Sequence, residues 1–187
     1  GRGIDQLLPY PSDPILFEPY MKSALGYVEL AEKLNGPLPR PADFSYVWGE
    51  ALAELERVKP DARLVNLETA VTRSREHWPE KEIHYRMSPE TLPVLVAAGI
   101  DVCGLANNHV LDWGFTGLSD TLAGLRQAGI HPAGAGQNLR EAETPAIVEV
   151  PGKGRVLVLA FGSRSSGIPG GWAATFDRAG VNLLPDL

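Results

Sequence analysis

The segment Leu105-Ala106-Asn107-Asn108-His109-Val110-Leu111-Asp112-Trp113-Gly114 places two amides, an imidazole and a carboxylate close together, just after the apolar run from Leu92 to Val102. Where a buried strand surfaces into a loop, those side chains suit a metal or phosphate site, because hard divalent ions take oxygen and imidazole ligands in such mixtures. A second polar group, Asn66-Leu67-Glu68-Thr69, follows the apolar stretch Ala62 to Leu67. Ligands of open α/β sheets bind beyond the carboxyl ends of strands, and sequential strand–helix–strand units commonly set their strands side by side. If these two strands are neighbours, Glu68, Asn108 and His109 converge on one patch. A carboxylate there could bridge two ions ~3.5–4 Å apart, the arrangement that positions the attacking and leaving oxygens of phosphoryl transfer. Each group also has a plain structural reading. Asn-Asn after a strand serves as turn chemistry, and His109 with Asp112 could be a surface pair.

The elements that would position these groups can be read along the chain. Prolines at 9, 11, 14 and 19 exclude regular structure from Leu7 to Pro19. Spacings of three and four over Met21, Ala24, Leu25, Val28, Ala31 and Leu34 predict a helix from Tyr20 to Leu34, closed by Asn35-Gly36. A second helix is expected over residues 47–57, stopping before Pro60. Ala62 to Leu67 reads as a strand, residues 73–84 as loop, and Ile83 to Met87 as a short edge strand. Ser88 as N-cap, Pro89 in the first turn and Gly99 after the end predict a helix through Ala98. The strand Ile100 to Leu105 and a helix from Thr116 to Ala128 follow. Ile130 to Gly136 reads as a strand entering a turn, and residues 145–150 and 155–161 as paired strands around Gly152-Lys153-Gly154. Alternating strands and helices indicate an α/β class with a largely parallel sheet.

Composition narrows the classes of function. The 187 residues carry a net charge of −6, which disfavours a nucleic-acid-binding surface. No apolar run approaches the roughly 20 residues that cross a bilayer, so no membrane segment is expected, and the missing signal favours a cytoplasmic location. The single cysteine, Cys103, excludes an intrachain disulfide and reads as a buried, inert thiol.

Taken together, Asn66-Leu67-Glu68-Thr69, Ala98-Gly99-Ile100-Asp101-Val102, the segment Leu105 to Gly114, and Ala133-Gly134-Ala135-Gly136-Gln137-Asn138 with Glu141-Ala142 resemble the CapA/PgsA family of capsule (poly-γ-glutamate) synthesis proteins. That family is placed in the calcineurin-like metallophosphoesterase superfamily. The resemblance implies a sandwich of two sheets flanked by helices and metal-dependent hydrolysis of a phosphoester or related bond. It implies two divalent ions, with Mn, Fe and Zn not distinguished. Glu68 matches the bridging metal carboxylate and Asn108 an amide-oxygen ligand. His109 matches the histidine acting on the leaving group, with Asp112 as its orienting partner, and Asn66 and Asn107 fall behind these ligands. Gly1-Arg2-Gly3 resembles the segment following the family's first Gly-Asp motif, and a Gly-His-x-His motif would follow Leu187. The chain is therefore expected to be a single domain over residues 1–187, incomplete at both ends.

Arg86 has the planar fork that suits an anionic substrate, or else a structural ion pair. His84 could approach the site from an edge or lie on the surface, and Trp113 is expected to wall the site. The expected substrate is an anionic small molecule, peptide or polymer. Two rival readings use the same scaffold: a non-hydrolytic accessory protein that binds an anionic polymer, and a metal-independent acid/base enzyme acting on a peptide.

Overall fold

The computed structural model describes residues 2–185; residues 186–187 and Gly1, with the family match at Gly1, lie outside the described residues. The chain opens with a four-residue helix, α1 (Arg2–Asp5), and then runs irregularly through the proline-rich segment. Helix α2 (Ala24–Asn35) begins later than the apolar spacing suggests because Ser23 caps it, its hydroxyl accepting the N–H of Leu25. Gly36, at φ 85°, ends it as expected. A 3-10 turn, Tyr46–Trp48, precedes α3 (Ala51–Val58).

Strand β1 (Leu64–Asn66) leads into β2 (Ala70–Val71), and after a long loop comes β3 (Arg86–Met87), a remnant of the expected edge strand. The helix expected over residues 88–98 is split. Pro93 cannot donate to a preceding turn, so a 3-10 turn at Pro89–Thr91 is followed by α4 (Pro93–Ala97). Ser88 does not cap it, since its hydroxyl donates to Glu90 and its N–H goes to the buried Asp5 carboxylate. Gly99 closes α4 at φ 60°.

Strand β4 (Val102–Gly104) enters the His109 segment, which runs into α5 (Gly114–Gln127). Next come β5 (His131–Ala133), β6 (Ala135–Gly136) and α6 (Leu139–Glu143), the last capped by the Asn138 side chain. The hairpin β7 (Ala146–Val150) and β8 (Gly154–Val158) forms where expected. A final short strand, β9 (Gly180–Val181), pairs antiparallel with β6.

The architecture is mixed α/β. Strands β1, β4 and β5 form a three-stranded parallel sheet in that order, and β2–β3, β6–β9 and β7–β8 are two-stranded pairs. The register decides where the polar groups meet: Asn66 pairs with Gly104 and Gly104 with Ala133, so the carboxyl ends of β1 and β4 stand level. The main core sits against this sheet, where Leu105, Val110, Leu111, Leu118, Leu122 and Leu125 are all fully buried. Burying a leucine-sized side chain contributes about 1.5–3 kcal/mol. Val110 and Leu111 therefore anchor the polar segment from inside, in alternation with His109 and Asp112. Helix α5 is tied to β2 by the Thr121 hydroxyl, which accepts the N–H of Val71 at 2.8 Å.

Cys103 is buried as expected, and burial pushes its thiol up to about 12. Among the described residues no helix is long and apolar enough to cross a membrane.

Candidate functional site

Because β1 and β4 are neighbours, the polar residues after each of them meet. The Asn107 amide donates to Asn66 Oδ1 at 3.1 Å and to the Leu67 carbonyl at 3.0 Å, stitching the two strand ends together. Its own Oδ1 accepts the N–H of His109 at 3.0 Å, which turns the chain and presents the imidazole. Asn66 in turn donates to Glu68 Oε2 at 3.2 Å. Asn66 and Asn107 are thus the frame on which Glu68 and His109 are mounted.

His109 is 7% exposed and Asp112 fully buried, so the alternative of a surface pair is excluded. Asp112 Oδ2 lies 2.6 Å from His109 Nδ1 and also accepts the N–H of Tyr85 at 2.7 Å. A carboxylate accepts only, so Nδ1 carries the proton of that bond and Nε2 is left for other work. Nε2 faces Glu68 Oε1 at 3.8 Å. The Tyr85 ring stacks on the imidazole with centroids 3.9 Å apart and planes 12° apart, fixing its tilt.

Glu68 is half-exposed, and together with Asn66, Asn107 and Asn108 it lines a cleft of about 680 Å³. Val158, Ala160, Ser163 and Ser166 also line it. Among the described residues that line the cleft none is Lys or Arg. Gly167, at φ 79°, brings its backbone against the Asn108 amide, where an added Cβ would lie 3.3 Å from Nδ2.

Three of the residues singled out in the sequence stand elsewhere. Arg86 is buried with its guanidinium donating to the carbonyls of Ser74 and Asp13 and stacked 3.8 Å from the Trp113 ring centroid. Desolvation by burial lowers its pKa, and the structure does not bring it to Glu68 and His109. His84 is not on the surface; it packs behind the site, within electrostatic reach of Asp112 and Lys81. It is 2% exposed, holds the Trp78 carbonyl through Nε2, and has its pKa lowered chiefly by burial. Trp113 stands one layer behind the site, where its indole N–H donates to the Tyr85 carbonyl at 3.1 Å.

Two residues here carry no sequence signal. Lys81 lies in a charged stretch without periodicity and Tyr85 in the expected edge strand, and only the fold brings them onto Asp112 and His109.

Among the described residues no three His, Cys, Asp or Glu side chains group closely enough to hold a metal ion. Glu68 and Asn108 would offer one carboxylate and one amide oxygen, fewer than the roughly six oxygens a hard divalent cation takes. On their own, the described residues do not fit a complete metal centre.

Comparison with known proteins places the chain. The family described as "Bacterial capsule synthesis protein PGA_cap" matches residues 1–187. The chain belongs to this family. It is 50% identical over 186 residues to a probable polyglutamine synthesis accessory protein of Mycobacterium tuberculosis, covering 100% of this chain and 49% of that protein. It is 30% identical over 108 residues to the capsule biosynthesis protein CapA of Bacillus anthracis, covering 58% of this chain and 26% of that one. To the PGA biosynthesis protein CapA of Bacillus subtilis it is 34% identical over 79 residues, covering 42% and 21%. The chain spans about half the length of the M. tuberculosis relative it matches.

Proposed function

We propose that this chain supplies the proton-transfer wall of a hydrolytic site that acts on a phosphoester or related bond during synthesis of a glutamate-containing capsule polymer. The single observation behind the reading is the His109–Asp112 pair, held at 2.6 Å with Nε2 turned toward the Glu68 carboxylate at the cleft. Asp112 holds the ring in the tautomer whose Nε2, facing Glu68 at the edge of the cleft rather than lining it, can pass a proton to or from a reacting oxygen or nitrogen beside Glu68. Tyr85 keeps the ring from swinging. Such a positioned histidine contributes typically 10²–10⁴-fold to rate. The relatives' names supply the link to capsule and polyglutamine synthesis.

In the same reading Glu68 and Asn108 are the side chains of this chain that would offer oxygens to a divalent ion, which would supply Lewis-acid chemistry at the cleft. The architecture is then part of a calcineurin-like sandwich. An anionic group entering the cleft would meet Glu68 and no Lys or Arg among the described lining residues, and like charges at short range repel.

The same balance bears equally on the hydrolase and on the rival in which this cleft binds an anionic polymer without turnover, and experiment separates the two. The test uses full-length protein with γ-linked polyglutamate and bis-p-nitrophenyl phosphate as probes, with and without chelator. Turnover that falls with His109→Gln and Glu68→Gln supports the hydrolase. Tight binding of polyglutamate without turnover, unchanged by chelator and by both substitutions, would replace it with the accessory role.

A further inference from the structure

The Lys81 ammonium is drawn into the centre of the site. Its side chain is 15% exposed, and Nζ lies 2.5 Å from Asp112 Oδ1, donates to the Asn108 carbonyl, and stands 3.4 Å from His109 Nδ1. The Trp172 ring lies beneath it, 4.9 Å from Nζ to the centroid. Nearby, the Trp78 N–H donates to the Asp112 carbonyl at 2.8 Å and the Tyr85 N–H to the Asp112 carboxylate. The loop from Trp78 to Tyr85 therefore clamps the His109 segment at three points, and Lys81 is the charged one.

We propose that Lys81 is a positioning residue for the His109–Asp112 pair: its ammonium occupies Asp112 Oδ1 so that Oδ2 stays on His109, and it pins the Asn108 carbonyl so that the Asn108 side chain stays on the cleft. This deepens the proton-transfer reading and rests on it for its effect on turnover. The physical need is plain. Asp112 is fully buried, and a buried carboxylate must be paired and hydrogen-bonded to persist. Of its two oxygens, Oδ2 is engaged by His109 and Tyr85, and Oδ1 is engaged by Lys81. Without the ammonium, Oδ1 is a bare buried acceptor, and the carboxylate gains by rotating or drawing in water. Either movement disturbs the imidazole. Trp172, contributed by the segment after β8, holds the ammonium through its ring face. The arrangement thereby makes the far end of the chain part of the same support.

The test compares Lys81→Met, which keeps an apolar stem over Trp172, with Lys81→Ala in the full-length protein. Turnover is read with bis-p-nitrophenyl phosphate and γ-linked polyglutamate, and the pair itself by the downfield proton resonance of the His109 Nδ1–H hydrogen bond. That resonance is assigned by its loss in His109→Gln. The expected result is a fall in kcat of roughly 10- to 100-fold at nearly constant KM, the range typical of residues that orient a functional ligand. The resonance shifts or broadens beyond detection, propylamine restores both signals in Lys81→Ala, and Lys81→Met costs nothing further in an Asp112→Asn background. An unchanged resonance in Lys81→Met overturns the positioning role, as does full additivity with Asp112→Asn. The resonance is read without turnover, so the two ideas fail separately: wild-type turnover in His109→Gln overturns the proton-transfer reading and leaves the Lys81 result standing.

Discussion

Replacing Asp112 with Asn tests the buried charge pair on which the site is built. The substitution keeps the shape of the side chain but removes the charge that holds Lys81 at 2.5 Å and the acceptor that takes both His109 Nδ1–H and Tyr85 N–H. A single amide oxygen cannot serve donors on both sides, and its NH2 group would face one of them. Breaking a buried ion pair by removing one partner costs about 3–5 kcal/mol, because the remaining charge is stranded. Lys81 retains 15% exposure and can reach some water, which favours the lower end, about 3 kcal/mol. For a domain of this size each kcal/mol lowers Tm by about 2–4 °C, so a fall of roughly 6–12 °C is expected. Urea and thermal unfolding of wild type, Asp112→Asn, Lys81→Met and the double variant form a cycle. The coupling energy should fall within about 0.5–3 kcal/mol, with the double variant more stable than the sum of the singles implies. A loss below about 1 kcal/mol in Asp112→Asn, the size of an exposed pair, would refute the claim that this carboxylate is a buried, charge-paired hub.

Three further outcomes follow from the same structure. Gly134 sits at φ 84° between β5 and β6, where an added Cβ would lie 2.7 Å from the Ala160 Cβ and 2.8 Å from the Ala106 Cβ. Gly134→Ala should therefore destabilise by more than about 1 kcal/mol in denaturant titration; equal stability would mean that the backbone there relaxes freely. His84 is a buried base whose folded pKa is depressed, so the unfolded chain binds its proton first and stability falls as pH drops below the unfolded value of about 6.5. Thermal unfolding between pH 7.5 and 5 should show a shallower fall for His84→Gln than for wild type, and parallel curves would contradict this. The Cys103 thiol, buried and raised to about 12, should resist thiol reagents in the folded protein and react on unfolding; rapid native labelling would place it at an accessible surface.

Much of this framework was legible in the sequence, for identifiable reasons. The adjacency of β1 and β4 follows from the strand–helix–strand order, and with it the meeting of Asn66, Glu68, Asn107 and His109. Helix α5 and the β7–β8 hairpin were announced by periodicity and by Gly152-Lys153-Gly154. What escaped was short or non-local. Helices α1 and α6 are too brief to show a period, and Pro93 broke a helix that the capping residues suggested was continuous. Arg86 was a candidate for anion contact because its chemistry allowed it, whereas the fold spends its guanidinium on backbone carbonyls. Lys81 carries no local signal, since nothing in its neighbours along the chain distinguishes it from any surface lysine. Its role comes from residues 27 to 31 positions away.

The central claim is that His109, oriented by Asp112, moves a proton beside Glu68 at the edge of the cleft. The most direct measurement is steady-state turnover of bis-p-nitrophenyl phosphate and γ-linked polyglutamate by full-length wild type and His109→Gln, with unfolding curves confirming that both are folded. Loss of kcat by roughly 10²–10⁴-fold with the fold intact is the predicted result. Turnover by folded His109→Gln equal to that of wild type would contradict it.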